Sequence, residues 1–205
     1  MGQGIFWNER YAHTGYAYGT IPNAYLKEKA AGLAAGTILL PAEGEGRNAV
    51  FLATQGWETY AFDQSVEGGN KALLLAAQND VEISYSVSNV ENIRYPIKSF
   101  DALALIFAHF PGADRITYHR KLSSFLKPGG HLIIEGFSKN HANYQQLNPK
   151  AGGPRDLTML YDLEELKEDF NDFEFTEAAE QQVTLSEGEF HQGEASVIRI
   201  FAVKK

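Results

Sequence analysis

The sequence has no cysteine. This excludes a disulfide framework, a thiolate metal site and a cysteine nucleophile. Histidine is sparse, six in all, and no two stand at the helical spacing of a metal-ligand pair, so no metal is expected. No apolar run approaches the roughly 20 residues needed to span a bilayer; the longest lies around Ala102 to Ala108. The opening MGQGIFWNERY lacks the basic stretch followed by an apolar run that marks an export signal. Basic charge is in deficit, 18 Lys and Arg against 26 Asp and Glu for a net −8. Such a surface argues against non-specific binding to nucleic acid or anionic lipid. A cytoplasmic protein is expected, monomeric or a small homo-oligomer, with neither nucleic acid nor membrane as its partner.

At 205 residues and 44% apolar composition, the chain can bury a sizeable core as one domain, residues 1–205. Residues 1–35 are rich in aromatics and turn formers, with a helix expected from Tyr25 to Leu33 behind Asn23 as N-cap. A regular alternation follows over 36–137. Strands are read at Thr37–Leu40, Glu58–Asp63, Val81–Val87, Phe100–Phe107 and His131–Phe137. Helices are read at Arg47–Gln55, Val66–Asn79 and Ala113–Leu126, and Lys127-Pro128-Gly129-Gly130 reads as a turn. Over 138–205 the order changes. A polar loop to Pro154 leads to a helix at Leu163–Phe170. Strands then follow at Phe173–Leu185 and Ala195–Val203, joined by a turn at Ser186–Glu189. The pattern predicts an α/β, Rossmann-like doubly wound sheet of seven strands, mostly parallel, closed by an antiparallel C-terminal pair.

In such a sheet, ligands sit beyond the carboxyl ends of the strands. The first strand runs into Gly44-Glu45-Gly46, where the backbone can approach a ligand closely and the next helix offers free N–H groups. Asp63 ends the second strand, placed to accept from two ribose hydroxyls. Together they point to a bound adenosine nucleoside. Gly44-x-Gly46-x-x-Ala49 also satisfies the loose dinucleotide pattern, so an NAD-dependent oxidoreductase stays open. Against it stand the long segment before the first strand and the hairpin at the end.

Six stretches carry a resemblance: WNERY (Trp7–Tyr11), YGTIPNAYL (Tyr18–Leu26), AEGEGRNAVFLA (Ala42–Ala53), AFD ending at Asp63, FDALALIFAHFP (Phe100–Pro111) and LKPGGHLIIEGF (Leu126–Phe137). In these the chain resembles the class I S-adenosylmethionine-dependent methyltransferases, in their small-molecule branch of tellurite-resistance and thiopurine methyltransferases. The resemblance implies direct in-line methyl transfer from S-adenosyl-L-methionine to a small molecule. It places the cofactor against Ala42, Glu43, Gly44, Gly46 and Asn48, its ribose on Asp63, and its adenine beside Gln64, Asn89 and Val90. Phe107, His109 and Phe110 fall where cofactor and acceptor meet.

The chain departs from that family's pattern where Leu40 replaces the opening acid, Ala42 the first glycine and Asn89 the usual Asp. Glu43 is the neighbour able to compensate for the lost acid. A non-catalytic cofactor-binding relative is the third reading. His109 is the candidate base, against a plainer role as a packed pocket residue. Trp7, Tyr11 and Tyr18, with Arg10 as a donor to an acceptor carboxylate, form a candidate lid. His141 and Tyr144 on the polar loop are candidate acceptor contacts, against a solvated loop.

Overall fold

The computed structural model describes residues 3–205; the first two residues of the expected N-terminal segment lie outside the described residues. Seven strands form one sheet in the order β3-β2-β1-β4-β5-β7-β6. β1 (Thr37–Pro41), β2 (Glu58–Asp63), β3 (Ser84–Val87), β4 (Phe100–Ile106) and β5 (Leu126–Phe137) run parallel. β6 (Phe173–Glu187) and β7 (His191–Lys204) form a long antiparallel hairpin whose β7 pairs with β5. The two central strands are wholly apolar over Ile38–Leu40 and Ala102–Ile106 because both faces are covered there. Period-two alternation sorts their side chains. Ile38, Leu40, Ala102, Ala104 and Ile133 meet Tyr25 and Leu26 of α2 (Ala24–Ala30) and Leu52 of α3 (Arg47–Thr54). Leu39, Leu103, Leu105, Leu132 and Ile134 meet Leu122 of α5 (Arg115–Ser124) and Leu166 of α7 (Leu163–Asp169).

The alternation expected from sequence is present, with local differences that have physical causes. The third strand starts at Ser84 rather than Val81. Asp80 takes a left-handed conformation after α4 (Val66–Gln78), and the Val81 and Asp80 amides bond back to Ala76 and Ala77, so these residues are consumed in stopping the helix. Lys127–Gly130 belongs to β5 rather than to a separate turn. Phe100 pairs with Leu126 and Ala102 with His131, so the four residues bulge outward opposite Asp101, which takes the Lys127 ammonium at 2.6 Å. Two helices arise where none was expected. α1 (Gln3–Tyr11) packs on α4, and α6 (His141–Leu147) turns inward with His141 and Gln145, polar residues that give no apolar stripe. No helix among the described residues is long and apolar enough to cross a membrane.

Candidate functional site

At the carboxyl ends of β1, β2 and β4 lies a cleft of about 720 Å³, within the usual range for small-molecule sites. Its floor begins where β1 stops. Ala42 is left-handed (φ +53°), Gly44 (φ +60°) and Gly46 (φ +83°) follow, and Gly46 caps α3. A Cβ on Gly44 would lie 2.5 Å from the Tyr11 hydroxyl, and one on Gly46 2.5 Å from Ala72 of α4. These glycines therefore let α1 and α4 close over the loop. They form the cradle's backbone without lining the cleft, whereas Ala42, Glu43 and Asn48 do line it.

Two carboxylates face this cradle. Glu43 accepts from the Asn48 and Ala49 amides of α3 at 2.8 Å each and from the Asn48 side-chain amide at 3.3 Å. Desolvation nonetheless pushes its carboxyl up to about 7. Asp63 accepts from the Ser65 amide at 2.8 Å and the Gly44 amide at 3.1 Å, and burial pushes it up to about 6. Among the described residues no cation forms an ion pair with either acid. In both, burial outweighs the hydrogen bonds they accept and, at Glu43, the nearby Arg47 charge, so each acid sits desolvated beside the cradle. Across the cleft, Gln64 follows Asp63, and Asn89 and Val90 follow β3. The Asn89 side chain accepts from the Asn92 amide at 2.9 Å and Val90 is buried.

The other half of the cleft is aromatic. Phe107 is left-handed (φ +51°), and its ring meets Phe137 at 4.6 Å and His191 at 4.5 Å. Phe110, buried, lines the same wall. Trp7 stacks on Tyr11 at 5.5 Å, and Asn8 of the same helix accepts from the Ser65 hydroxyl, fixing α1 over the cradle. Lys71 clamps the segment that follows, donating to the His13 and Gly15 carbonyls and pairing with Glu45, which also takes the Ala17 amide. Tyr18 packs on His191 at 4.4 Å, and the Arg10 guanidinium lies 3.8 Å from the Phe190 ring centre.

Three of the expected acceptor-side residues are corrected by their surroundings. His109 lines the cleft, yet both ring nitrogens are taken: Nε2 accepts the Phe137 amide at 3.0 Å and Nδ1 donates to the Met159 carbonyl at 2.8 Å. Burial lowers it to about 3, so it is a neutral anchor with no lone pair free for a proton. His141 is fully buried beneath Phe137, bonded to Ser196 and Gly152, and does not line the cleft. Tyr144 lines a separate polar groove with Asn140 and Glu180.

Sequence reasoning missed Arg47, Glu187, Phe190 and His191. The hairpin tip that carries the last three was read as a turn followed by unassigned residues. The signal present was a Glu and a His four residues apart flanking that turn.

The sheet order is that of the Rossmann-like methyltransferase fold. Residues 38–130, a little under half the chain, match the family described as a methyltransferase domain. No curated protein matches at a significant level. Among solved structures, the chain is similar to TehB from Haemophilus influenzae (17% identity, TM-score 0.71, covering 98% of this chain and 67% of that one). It is similar to a protein from work on the conversion of a disulfide bond into a thioacetal group during echinomycin biosynthesis (17%, TM-score 0.77, 100% and 93%). It is also similar to a SAM-dependent methyltransferase from Methanosarcina mazei (17%, TM-score 0.69, 90% and 99%). The fold is shared with that SAM-dependent methyltransferase, and the matched segment is a methyltransferase domain.

Proposed function

We propose that this chain transfers the methyl group of S-adenosylmethionine to a small molecule held in the aromatic half of the cleft. The observation that carries the reading is the pair of desolvated acids, Glu43 and Asp63, beside the glycine cradle, neither in an ion pair among the described residues. A nucleoside that brings two hydroxyls and an ammonium supplies what each lacks. The cofactor is S-adenosylmethionine, and when bound it supplies an electrophilic methyl carbon on a sulfonium.

This chain's residues do the rest. Asp63 accepts from the ribose hydroxyls. Glu43 receives the ammonium, in place of the acid that Leu40 lacks. Gln64, Asn89 and Val90 bracket the adenine. Trp7, Tyr11, Tyr18 and Arg10 form the cover and Phe107 and Phe110 the wall, which exclude water and fix the acceptor in line. His109 holds the β4 and β5 ends in register with that wall. A dinucleotide oxidoreductase is disfavoured, because its usual parallel order has no antiparallel strand inserted beside β5.

Calorimetry with S-adenosylhomocysteine beside NAD tests the reading. The first is expected to bind, and Asp63→Ala to weaken it by roughly 10- to 100-fold, since hydrogen bonds to a charged group contribute about 1.5–3 kcal/mol. Binding of NAD alone would overturn it.

A further inference from the structure

The hairpin tip places one histidine in the cleft with a free nitrogen. His191 opens β7, lines the cleft and is buried to 5% exposure between Phe107, Phe137 and Tyr18. Its Nδ1 lies 3.2 Å from the Glu187 carboxylate. A carboxylate can only accept, so Nδ1 carries the proton and Nε2 keeps its lone pair. Among the described residues no group hydrogen-bonds Nε2, in contrast to His109, where both nitrogens are used. Glu187 is itself held: Arg47 Nη2 donates to it at 2.8 Å and Asn23 at 3.1 Å. The hydrogen bond from His191 and the Arg47 guanidinium outweigh its burial and lower its carboxyl to about 2, so it is ionised throughout the physiological range. The Gly152 backbone (φ +82°) runs beside the Cδ2–Nε2 edge of the ring, and only a glycine leaves space there: an added Cβ would collide with Cδ2 and lie 3.1 Å from Nε2.

We propose that His191 Nε2 is the base that takes the proton from a protic methyl acceptor, an O–H, N–H or S–H nucleophile on a flat apolar body, with Glu187 and Arg47 as positioning residues. This rests on the methyltransferase reading above. The balance is simple. The acceptor's lone pair forms a bond to the methyl carbon, the carbon–sulfur bond breaks with its electron pair going to sulfur, and the acceptor's proton moves to Nε2. Glu187 then stabilises the imidazolium until the proton passes to water.

The charged and titratable groups around the ring fit this role. Burial, Arg47 and Arg10 hold His191 below its ordinary value and Glu187 opposes them, so the resting ring is neutral. His109 and His141, the other imidazoles within its field, are also held low and stay neutral. The aromatic walls suit a flat acceptor, and Arg10, stacked on Phe190, has no acidic partner among the described residues.

The test uses the full chain with S-adenosylhomocysteine bound and reads the imidazole nitrogens by NMR, His191 being assigned by its loss in His191→Asn. The expected spectrum at pH 7 is a neutral ring, protonated at Nδ1 and bare at Nε2. Its titration point is expected to fall by about one unit or more in Glu187→Gln. A ring charged at pH 7, or a proton on Nε2, overturns the proposal. Failure of the wild-type chain to bind S-adenosylhomocysteine overturns the underlying reading instead. Two probe acceptors add a kinetic arm: a phenol, un-ionised below about pH 10, and a thiophenol already ionised at pH 8. His191→Asn is expected to slow the phenol at least about 100-fold more than the thiophenolate, within the usual range for general base catalysis. Equal losses on both overturn the base assignment. The spectra decide the proposal whether or not either probe is methylated.

Discussion

Glu43→Gln separates the two ends of the proposed cofactor. Glutamine keeps an oxygen for the Asn48 and Ala49 amides, so the α3 cap survives while the charge is lost. Two ligands then report. S-Adenosylhomocysteine carries the amino-acid end; 5′-methylthioadenosine lacks it. One charged hydrogen bond contributes about 1.5–3 kcal/mol, so the variant is expected to weaken the first roughly 10- to 100-fold and leave the second within about twofold. The pH dependence supplies a second magnitude. With Glu43 at about 7, the ionised fraction drops from about a half at pH 7 to about a tenth at pH 6, a roughly fivefold loss of apparent affinity. Asp63, at about 6, loses only about half its charge over the same step and touches the end both ligands share. S-Adenosylhomocysteine is therefore expected to weaken roughly tenfold from pH 7 to pH 6, and methylthioadenosine about twofold. Isothermal titration at the two pH values reads all four numbers. Equal loss on both ligands in Glu43→Gln would mean a collapsed loop, and no loss on either would mean that the ammonium is held elsewhere. Either result refutes the reasoning.

The same acids bear on folding. Each carboxyl is raised above its unfolded value of 4.5 or 3.8, so the folded chain holds extra protons between about pH 4 and pH 7. Stability is lost as pH rises through that window, by up to about 3 kcal/mol per group, and Glu43→Gln is expected to flatten its share in urea unfolding of the ligand-free protein. Gly46→Ala is expected to cost about 2–4 kcal/mol, through the clash with Ala72 and the left-handed backbone; Gly56→Ala, equally left-handed but with open space around it, about 1 kcal/mol. The pair of denaturation midpoints checks this. His109→Asn is expected to lower stability by about 1–3 kcal/mol while leaving the pH profile of methyl transfer unmoved, because its ring is neutral and fully bonded at every working pH. Ala42→Gly is expected to stabilise by up to about 1 kcal/mol by relieving a left-handed alanine, read as a rise in melting temperature.

What was legible follows from which signals are local. The strands of the core announce themselves because both faces are buried, and Leu39 and Leu40 are equally apolar although they point to opposite layers. The cradle was legible because glycine in a left-handed turn and an acid at a strand end are positional requirements. Illegible were the elements whose buried positions are polar. α6 turns inward with His141 and Gln145, so no periodic apolar stripe betrays it. The hairpin tip was misread for a related reason. Glu187 and His191 flank a turn whose composition looks like solvent, and only the length of the hairpin carries His191 to the cleft with Glu187 bonded behind it.

The missing acid of β1 is the most instructive departure. Leu40 packs into the α2–α3 layer with no exposure, in one cluster with Ile38, Ala61 and Ala102. A carboxylate there would need its own donors in an apolar layer. Three residues on, Glu43 finds two backbone amides at the start of α3 and an edge on the cleft. A charge at a helix N-terminus is stabilised by the free N–H groups and the dipole, a cost the strand position cannot offset in this chain. At Glu43 the acid is hydrogen-bonded but in no ion pair among the described residues, and burial puts its carboxyl near 7. An acid placed at position 40 tests the proposed role of Glu43 as the seat of the ammonium. Leu40→Asp alone is expected to destabilise by roughly 3 kcal/mol or more, since it buries an unpaired charge, and to leave the cofactor preference with Glu43. Rescue of Glu43→Gln binding by Leu40→Asp would instead place the ammonium at the end of β1.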